Sequence, residues 1–549
     1  MKTLLVLLAL AGGASGFPEA VLFLTGASCI EELDAQVLER YEALAARPLD
    51  INSCPRSRLL SSGLFTPFQV ASLVDYRSRS GDILSLGELA LVDGFNVETA
   101  EALGCFVVLR SASPPGAPAR NRVHDDLLLR GGLKGGSRSG DFKNILTFGE
   151  AAELSFTGSG TLSLALYGRS VPAKLIVGDF NARFAQGLAS WSGFTMSGVP
   201  SASAFRKNGA GFSPSHSFSA ASHRGIAADV SLRKWTLSAA LSLPGLRDGK
   251  AESAVVMCNA ARVAKTLTLG ATAVCDLTAR SGVVSADFRA GFAGVSLFGE
   301  AAASMQQGGR PSPAAVVGAM FVPQYGRKIV ALARAYSPGF DGSRSGAVRS
   351  STKVSDELAL ALGWQSPSLS STLDLCMHPE AGGRQAKSIT VVSHEFALGG
   401  IALKPSLRAA LRLRPEDNIP LKSDLRADVA ASVGKWTLSG RYNTIFYRGR
   451  SWLWYADAAF SKCHLRFTLF KVDDWDDRIC AYEHDCAGCF TVPSYYGRGY
   501  SVSAFASKTF RLRRSRHDLS ARARYVAYPW TDPAKPSAFE LRVQYRLVL

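Results

Sequence analysis

Apolar and polar residues alternate with a period of two along most of this chain. The last stretch shows the pattern most plainly. Phe539, Leu541, Val543, Tyr545, Leu547 and Leu549 take the odd positions, while Glu540, Arg542, Gln544 and Arg546 take the even ones before Val548. Successive strand side chains point to opposite faces, so this segment predicts a strand with one apolar and one charged face. The parity recurs upstream. Leu407, Ala409, Leu411 and Leu413 alternate with Ser406, Arg408, Ala410 and Arg412. Leu425, Ala427, Val429, Ala431 and Val433 oppose Asp424, Arg426, Asp428 and Ser432, and Trp436, Leu438, Gly440 and Tyr442 oppose Thr437, Ser439, Arg441 and Asn443. Cys463, Leu465, Phe467 and Leu469 continue it, as do Leu519, Ala521, Ala523, Tyr525 and Ala527.

A soluble sandwich would alternate too, but the polar face here carries Arg, Asp, Glu and Asn, and the apolar face is rich in Ala and Gly. That is the pattern of strands with lipid on one side and a polar lumen on the other. The near-repeats "SLRKWTLSA" (Ser231–Ala239) and "SVGKWTLSG" (Ser432–Gly440) predict tight hairpins, whereas "QQGGRPSP" and "SPGFDGSRSG" predict long loops. Trp452, Trp454, Tyr455, Tyr495, Tyr496, Tyr500, Tyr525, Tyr528 and Trp530 fall near expected strand ends, where an outer-membrane barrel carries aromatic girdles. Residues 123–549 therefore read as a large antiparallel transmembrane β-barrel of roughly 18 to 24 strands, each of about 10 residues. The two-faced final strand is expected to close it against the first.

The N-terminal part follows a different period. In "IEELDAQVLERYEALAA", Ile30, Leu33, Val37, Leu38, Tyr41 and Leu44 recur at helical spacing with acids on the opposite face. Short helices broken at Gly63, Gly81 and Gly94 follow, so residues 29–110 read as a small all-α domain, with 111–122 as linker. Before it, Lys2, the apolar run "LLVLLALA" and the small residues Ala14 to Gly16 read as a secretory signal over residues 1–16. Beyond that segment no apolar run approaches the roughly 20 residues of a membrane helix, so insertion is expected through strands.

Charge separates the two parts. The chain carries a net +17, yet residues 29–110 hold 12 Asp and Glu against 7 Arg and no Lys, a net of −5. Residues 111–549 hold 54 basic and 32 acidic groups, a net of +22. On the inward strand faces Arg408, Arg412, Arg426, Arg441, Arg522 and Arg524 are candidate lumen cations that would attract an anion.

The helical stretch resembles the tandem helix-hairpin-helix domain of the ComEA type, through "LDIN", "VDYRSRSGDILSLGEL" and "VDGFNVETAEAL". With "GDFNARFAQGLASWSGF" (Gly178–Phe194) and "DDWDDRICAYEHDCAGCFTVPSYYGRGY" (Asp473–Tyr500), the whole chain resembles the helix-hairpin-helix domain-containing outer-membrane proteins of Gram-negative bacteria. The resemblance implies a domain in the periplasm and candidate DNA-binding hairpins at Gly63-Leu64-Phe65 and Gly94-Phe95-Asn96. DNA-binding hairpins of this kind carry Gly-apolar-Gly so that bare amides reach a phosphate. Here the second glycine is missing both times, and an acidic domain without lysine opposes phosphate binding.

Other chemistry is sparse. Cys480, His484, Cys486 and Cys489 in "CAYEHDCAGC" have the residue types of a zinc site, or else are surface or disulfide cysteines. The run Asp473, Asp474, Asp476 and Asp477 has oxygen ligands suited to Ca²⁺, or is a solvated loop. The segment 181–224, rich in Ser and Gly, either folds into the lumen as a constriction or projects outside as a loop. Neither G-x-S-x-G nor H-E-x-x-H occurs, and no enzymatic activity and no cofactor are expected. The expectation is an outer-membrane barrel with a periplasmic module that passes or binds an anionic substrate, DNA included. The alternative is a scaffold whose module binds a periplasmic protein. The expected partners are outer-membrane lipid, the barrel-assembly machinery, DNA or another anionic polymer, and that periplasmic protein.

Overall fold

The computed structural model describes residues 17–549 except 28, 34, 112–122, 169–171, 194, 196, 219–222, 233, 244–245, 248–249, 252, 265, 293, 325–326, 514, 532 and 534. The expected signal segment and residues 112–122 of the expected linker lie outside the described residues.

Among the described residues, one antiparallel sheet runs from Val123–Lys134 to Lys535–Val548 and closes on itself, with Asp126 opposite Val548 and Lys134 opposite Glu540. Of its 26 strands, Gly211–Pro214 and Phe396–Leu398 each pair with a single neighbour, which leaves 24 around the barrel. The final strand is thus the closing one, as its two faces predict.

The parity read from the sequence is the parity of the wall. Leu425, Val429 and Val433 are exposed outward, and Arg426 and Asp428, on the opposite face, point into the lumen. A closed barrel with an apolar outer band has no unpaired edge and places its backbone polar groups in the ladder, which is what a bilayer demands. Trp235, Phe292, Phe321, Trp364, Trp436 and Phe460 are exposed near one end and form a girdle. Trp454, Tyr525 and Trp530 are exposed toward the other end. Tyr455 and Tyr495, expected in a girdle, are buried inside instead; Tyr455 pairs in register with Arg441, which fixes it on the lumen face.

At the end nearest the barrel's two terminal strands the connections are short, as at 434–435 and 461–462. At the other end they reach 184–222, 337–356 and 473–496. Short turns lie in the periplasm and long loops outside, so this is an outer-membrane barrel with both terminal strands opening to the periplasm. In the two near-repeats, the inward hydroxyls of Ser231 and Thr236 (3.3 Å) and of Ser432 and Thr437 (3.1 Å) meet across the hairpin.

Among the described residues the helical unit reaches back to Phe17, ahead of the expected start at 29. The helix Phe17–Thr25 buries Ala20 and Val21, and Phe17 meets the Phe106 ring edge-on at 6.0 Å. The helix Ala35–Ala46 follows, then two helix pairs: Arg56–Ser61 with Pro67–Ser80, and Leu86–Leu91 with Val97–Leu103. Thr66 and Gln69 form a reciprocal capping box that starts the Pro67–Ser80 helix, and Asn96 caps the last helix through the Thr99 amide at 2.8 Å. Asn52 of "LDIN" is the cross-brace. Its buried side chain donates to the Ile83 and Arg110 carbonyls (2.9 and 2.7 Å) and accepts from the Ile83 amide at 2.9 Å.

This unit sits within the barrel, entering from the short-turn end, and not free in the periplasm beside it. Near that end Arg58 pairs with Glu150 and the Phe23 ring lies 4.9 Å from the Lys328 ammonium; deeper, Glu39 pairs with Lys143. From the opposite end, the described residues of 184–218 fold inward, burying Phe184, Leu188, Phe205 and Phe212 against wall residues such as Phe298 and Leu332. Of the two readings of that segment, the constriction is the one realised. The wall residue Glu300 holds it by accepting from the amides of Gln186 (2.9 Å), Leu188 (3.0 Å) and Ala189 (3.3 Å).

Candidate functional site

The acidic face of residues 30–46 meets the basic wall of the lumen. Glu31 accepts from Arg441 at 2.6 Å and from the Tyr482 amide at 3.1 Å, and lies 3.8 Å from Arg426. Glu32 pairs with Arg408 at 3.3 Å. Glu39 pairs with Lys143 and accepts from Ser217 at 2.7 Å, and Glu42 accepts from the Gly488 amide. Burial alone would raise the Glu31 carboxyl, but Arg441 and Arg426 overcome it and hold the group well below the usual carboxylate range. Glu42 has no guanidinium so close. Burial pushes its carboxyl up to about 7, with the Gly488 N–H opposing only in part.

Loop 473–496 completes the seat from above. Glu483 is buried and takes Arg522 and Arg524 together with the Tyr495 hydroxyl at 2.6 Å. The cations expected to be free for an anion are therefore mostly paired inside the protein: Arg408, Arg426 and Arg441 by the helical unit, Arg522 and Arg524 by the loop. The acids of the helical unit thus offset part of the barrel's excess positive charge from within. Arg412 is different. It lies over the Tyr447 ring at 5.4 Å, and no carboxylate among the described residues comes within ion-pair distance of it.

Among the described residues, the lumen holds cavities at three places. One of about 160 Å³ lies between Glu39, Arg40, Arg47 and Arg58 of the helical unit and Lys143, Glu153 and His216. A second, of about 520 Å³, is lined by both hairpins together with Arg206, Lys207 and Lys328. Burial, with Arg349 and Arg183 adding to it, pushes the Lys207 ammonium down to about 7. The third, of about 430 Å³ at the long-loop mouth, is lined by Arg412, Arg414, Lys422 and Arg478 with Tyr447, Cys480 and a single acid, Asp476.

The hairpins depart from the expected phosphate clamps. Leu64 and Phe65 are buried in the unit's core, and Phe65 meets Phe95 edge-on at 6.1 Å. Gly63 has φ +69°, a left-handed conformation that favours glycine, and it lies against the Arg40 guanidinium within the unit. Gly94 (φ +88°) lies against Phe68 in the same way, while Asn96 uses its side chain as a helix cap.

The four-residue zinc candidate is not assembled. Cys480 is exposed, its thiol 3.3 Å from the Ser494 hydroxyl, and Cys486 and Cys489 are buried and unbridged. His484 stacks on His464 with ring centroids 3.6 Å apart; burial and that neighbour push its imidazole down to about 4. The partners missed by sequence reading sit on strands, distant in the chain, and no spacing rule reaches them. The acidic run does not converge on a cation either. Asp473 pairs with Arg498 at 2.6 Å and Asp476 with Arg448 at 3.1 Å, and Asp477 accepts from the Arg448 amide at 3.1 Å.

No family model matches the chain, and no curated protein matches it. Among solved structures, it is similar to the translocation pore of the P pilus usher PapC, at 11% identity over 78% of this chain and 99% of that one, with TM-score 0.38. It is similar at 10% identity to Pseudomonas aeruginosa OccK2 (OpdF) in complex with glucuronate, over 78% and 98% of the two chains, TM-score 0.32. An E. coli P pilus tip assembly intermediate of PapC, PapD, PapK and PapG gives 11% over 78% and 62%, TM-score 0.41. The likeness is one of barrel architecture.

Proposed function

We propose that this chain is a plugged outer-membrane channel for a small anionic solute, with the unit from Phe17 to Arg110 as its plug. On the resemblance of its hairpin pairs, the plug is read as a helix-hairpin-helix unit turned from nucleic-acid binding to packing. One observation carries the proposal: the mouth cavity gathers Arg412, Arg414, Lys422 and Arg478 around Tyr447, and of these only Arg414 and Lys422 reach a carboxylate, Asp417 at 4.0 Å and Asp477 at 3.9 Å, while the deeper lumen arginines are closely paired. An anion arriving from outside would first meet the guanidinium groups of Arg412 and Arg478, which have no ion-pair carboxylate among the described residues. Deeper in, the plug glutamates occupy Arg408, Arg426 and Arg441, so substrate and plug compete for the same cations. The volume favours a carboxylate or phosphate solute over a polymer. Buried Phe65 and the packing roles of Gly63 and Gly94 do not favour DNA.

The test is uptake by liposomes holding the refolded full chain, comparing small anions with neutral solutes of equal size. Anion preference that weakens with salt, and that the double variant Arg412→Ala, Arg478→Ala removes, is the expected result. Equal permeation of neutral solutes, or salt-independent uptake, refutes the proposal.

The scaffold reading has one observation in its favour. Leu84, Leu91 and Val97 are 61%, 80% and 50% exposed on the helical unit, an apolar surface that the barrel leaves uncovered. A periplasmic protein retained by the full chain but not by its Leu91→Asp variant, with no anion uptake, would favour it.

A further inference from the structure

We propose that Asp457, His464 and His484 form a binding site for a divalent transition metal of the zinc class, which clasps loop 473–496 to the barrel wall. The three come from separate places. Asp457 lies on the strand Arg450–Phe460, His464 on the neighbouring strand Cys463–Val472, and His484 on the long loop that descends from the outer mouth. The register opposes Asp457 to Arg466 and Ala459 to His464, which makes Asp457 and His464 diagonal neighbours on the lumen face. One ligand atom from each of the three lies within 4.8 Å of the others.

The hydrogen bonding leaves these atoms available, and the two imidazoles, stacked with centroids 3.6 Å apart, would turn out of that stack to direct one nitrogen each at the ion. Arg466 donates to Asp457 Oδ2 from both Nε (2.9 Å) and Nη2 (2.8 Å), which orients the carboxylate and leaves Oδ1 toward the histidines. His464 Nδ1 is 3.6 Å from that Oδ1, beyond hydrogen-bond reach, and is buried without a hydrogen-bond partner. Arg466 also donates to the Tyr482 carbonyl, two residues before His484, so one guanidinium holds both the carboxylate ligand and the loop that brings the second imidazole. Outer-shell groups of this kind commonly fix metal ligands. Two imidazoles and one carboxylate, with a position left for water, suit Zn²⁺ or Co²⁺ and not the oxygen-seeking Ca²⁺ or Mg²⁺. The other group of comparable spacing, Glu357, Cys376 and His378, lacks this availability, because Glu357 is taken up by Arg334 and the Ser350 amide.

The clasp bears on the plug. The same loop supplies the Tyr482 amide to Glu31 and the Gly488 amide to Glu42, so fixing its tip with a metal would tighten two contacts that seat the helical unit.

The test uses the full chain refolded in detergent, stripped with chelator and titrated with Co²⁺. One Co²⁺ per chain, with visible d–d absorption bleached by Zn²⁺, is expected. His484→Ala, a loop substitution, should weaken binding at least roughly tenfold while keeping the heat-modifiable gel mobility of the folded barrel. His464→Ala should do the same. The triple variant Cys480→Ser, Cys486→Ser, Cys489→Ser and the single variant His378→Ala should bind like the parent. Absence of the absorption, or unchanged affinity in folded His484→Ala, overturns the site; loss of binding in the triple cysteine variant moves it to the cysteines and overturns it equally.

Discussion

The contact between Glu31 and the lumen arginines is the sharpest place to perturb the plug. Glu31, Arg441 and Arg426 have side chains only 12%, 10% and 13% exposed, so little solvent screens them. Glu31→Gln keeps the volume and removes the charge. Asp428 remains, at 2.5 Å from Arg441 and 2.8 Å from Arg426, but one carboxylate then faces two guanidinium groups. Removing one partner of a buried pair costs about 3–5 kcal/mol, and the retained Asp428 puts this case at the low end, about 3 kcal/mol. At about 1.4 kcal/mol per factor of ten, the unseated fraction should rise roughly a hundredfold. Planar-bilayer recording of the purified chain reads this as more frequent opening, and limited proteolysis reads it as faster cleavage within residues 17–110. If the variant opens no more often than the parent and its plug is cut no faster, the Glu31 contacts do not hold the plug, and the electrostatic account of seating fails.

Two further outcomes follow from the same geometry. The Glu42 carboxyl sits at about 7 when the plug is seated, against 4.5 for a free glutamate, so its protonated form favours seating. That contribution, about 3 kcal/mol, is complete at pH below the free value and is lost as pH rises through about 7. Glu31 has the opposite sign, since its lowered value stabilises seating above the free pKa and the effect fades on acidification. Opening frequency should therefore be lowest between the two limits, and Glu42→Gln should remove the rise on the alkaline side. On the outer face, Val429 is 50% exposed to the bilayer, and Val429→Arg should cost about 2–4 kcal/mol of barrel stability, read as a lower urea midpoint in lipid vesicles.

Much of the barrel was legible because parity is a local property. A one-residue slip would turn Leu425 or Phe539 inward, so the alternation carries both the strand and its face. The closing role of the last strand was legible for the same reason, and the short helices because Gly63, Gly81 and Gly94 mark their limits. The location of the helical unit was not legible. The opposite net charges of the two parts were countable, but nothing local says whether Arg441 waits for a solute or for Glu31, residues 410 positions apart. The inward tyrosines Tyr455 and Tyr495 went astray because proximity to a strand end says less than parity. The metal cluster escaped because His484 meets its partners across a strand pair and a loop.

Closure of the sheet between its first and last strands also has a consequence for how the molecule is made. The seam at Asp126 to Lys134 joins only when residues 540 to 548 arrive, and Arg546 then pairs with Asp126 across it. The plug precedes every wall strand in the chain, so it leaves the ribosome before any of them. The staves can be gathered around a core that is already present and the hoop shut last. A chain lacking the helical unit would have to close a 24-strand ring around Arg408, Arg426 and Arg441 with only Asp424 and Asp428 beside them. The plug is then a mandrel for assembly before it is a gate.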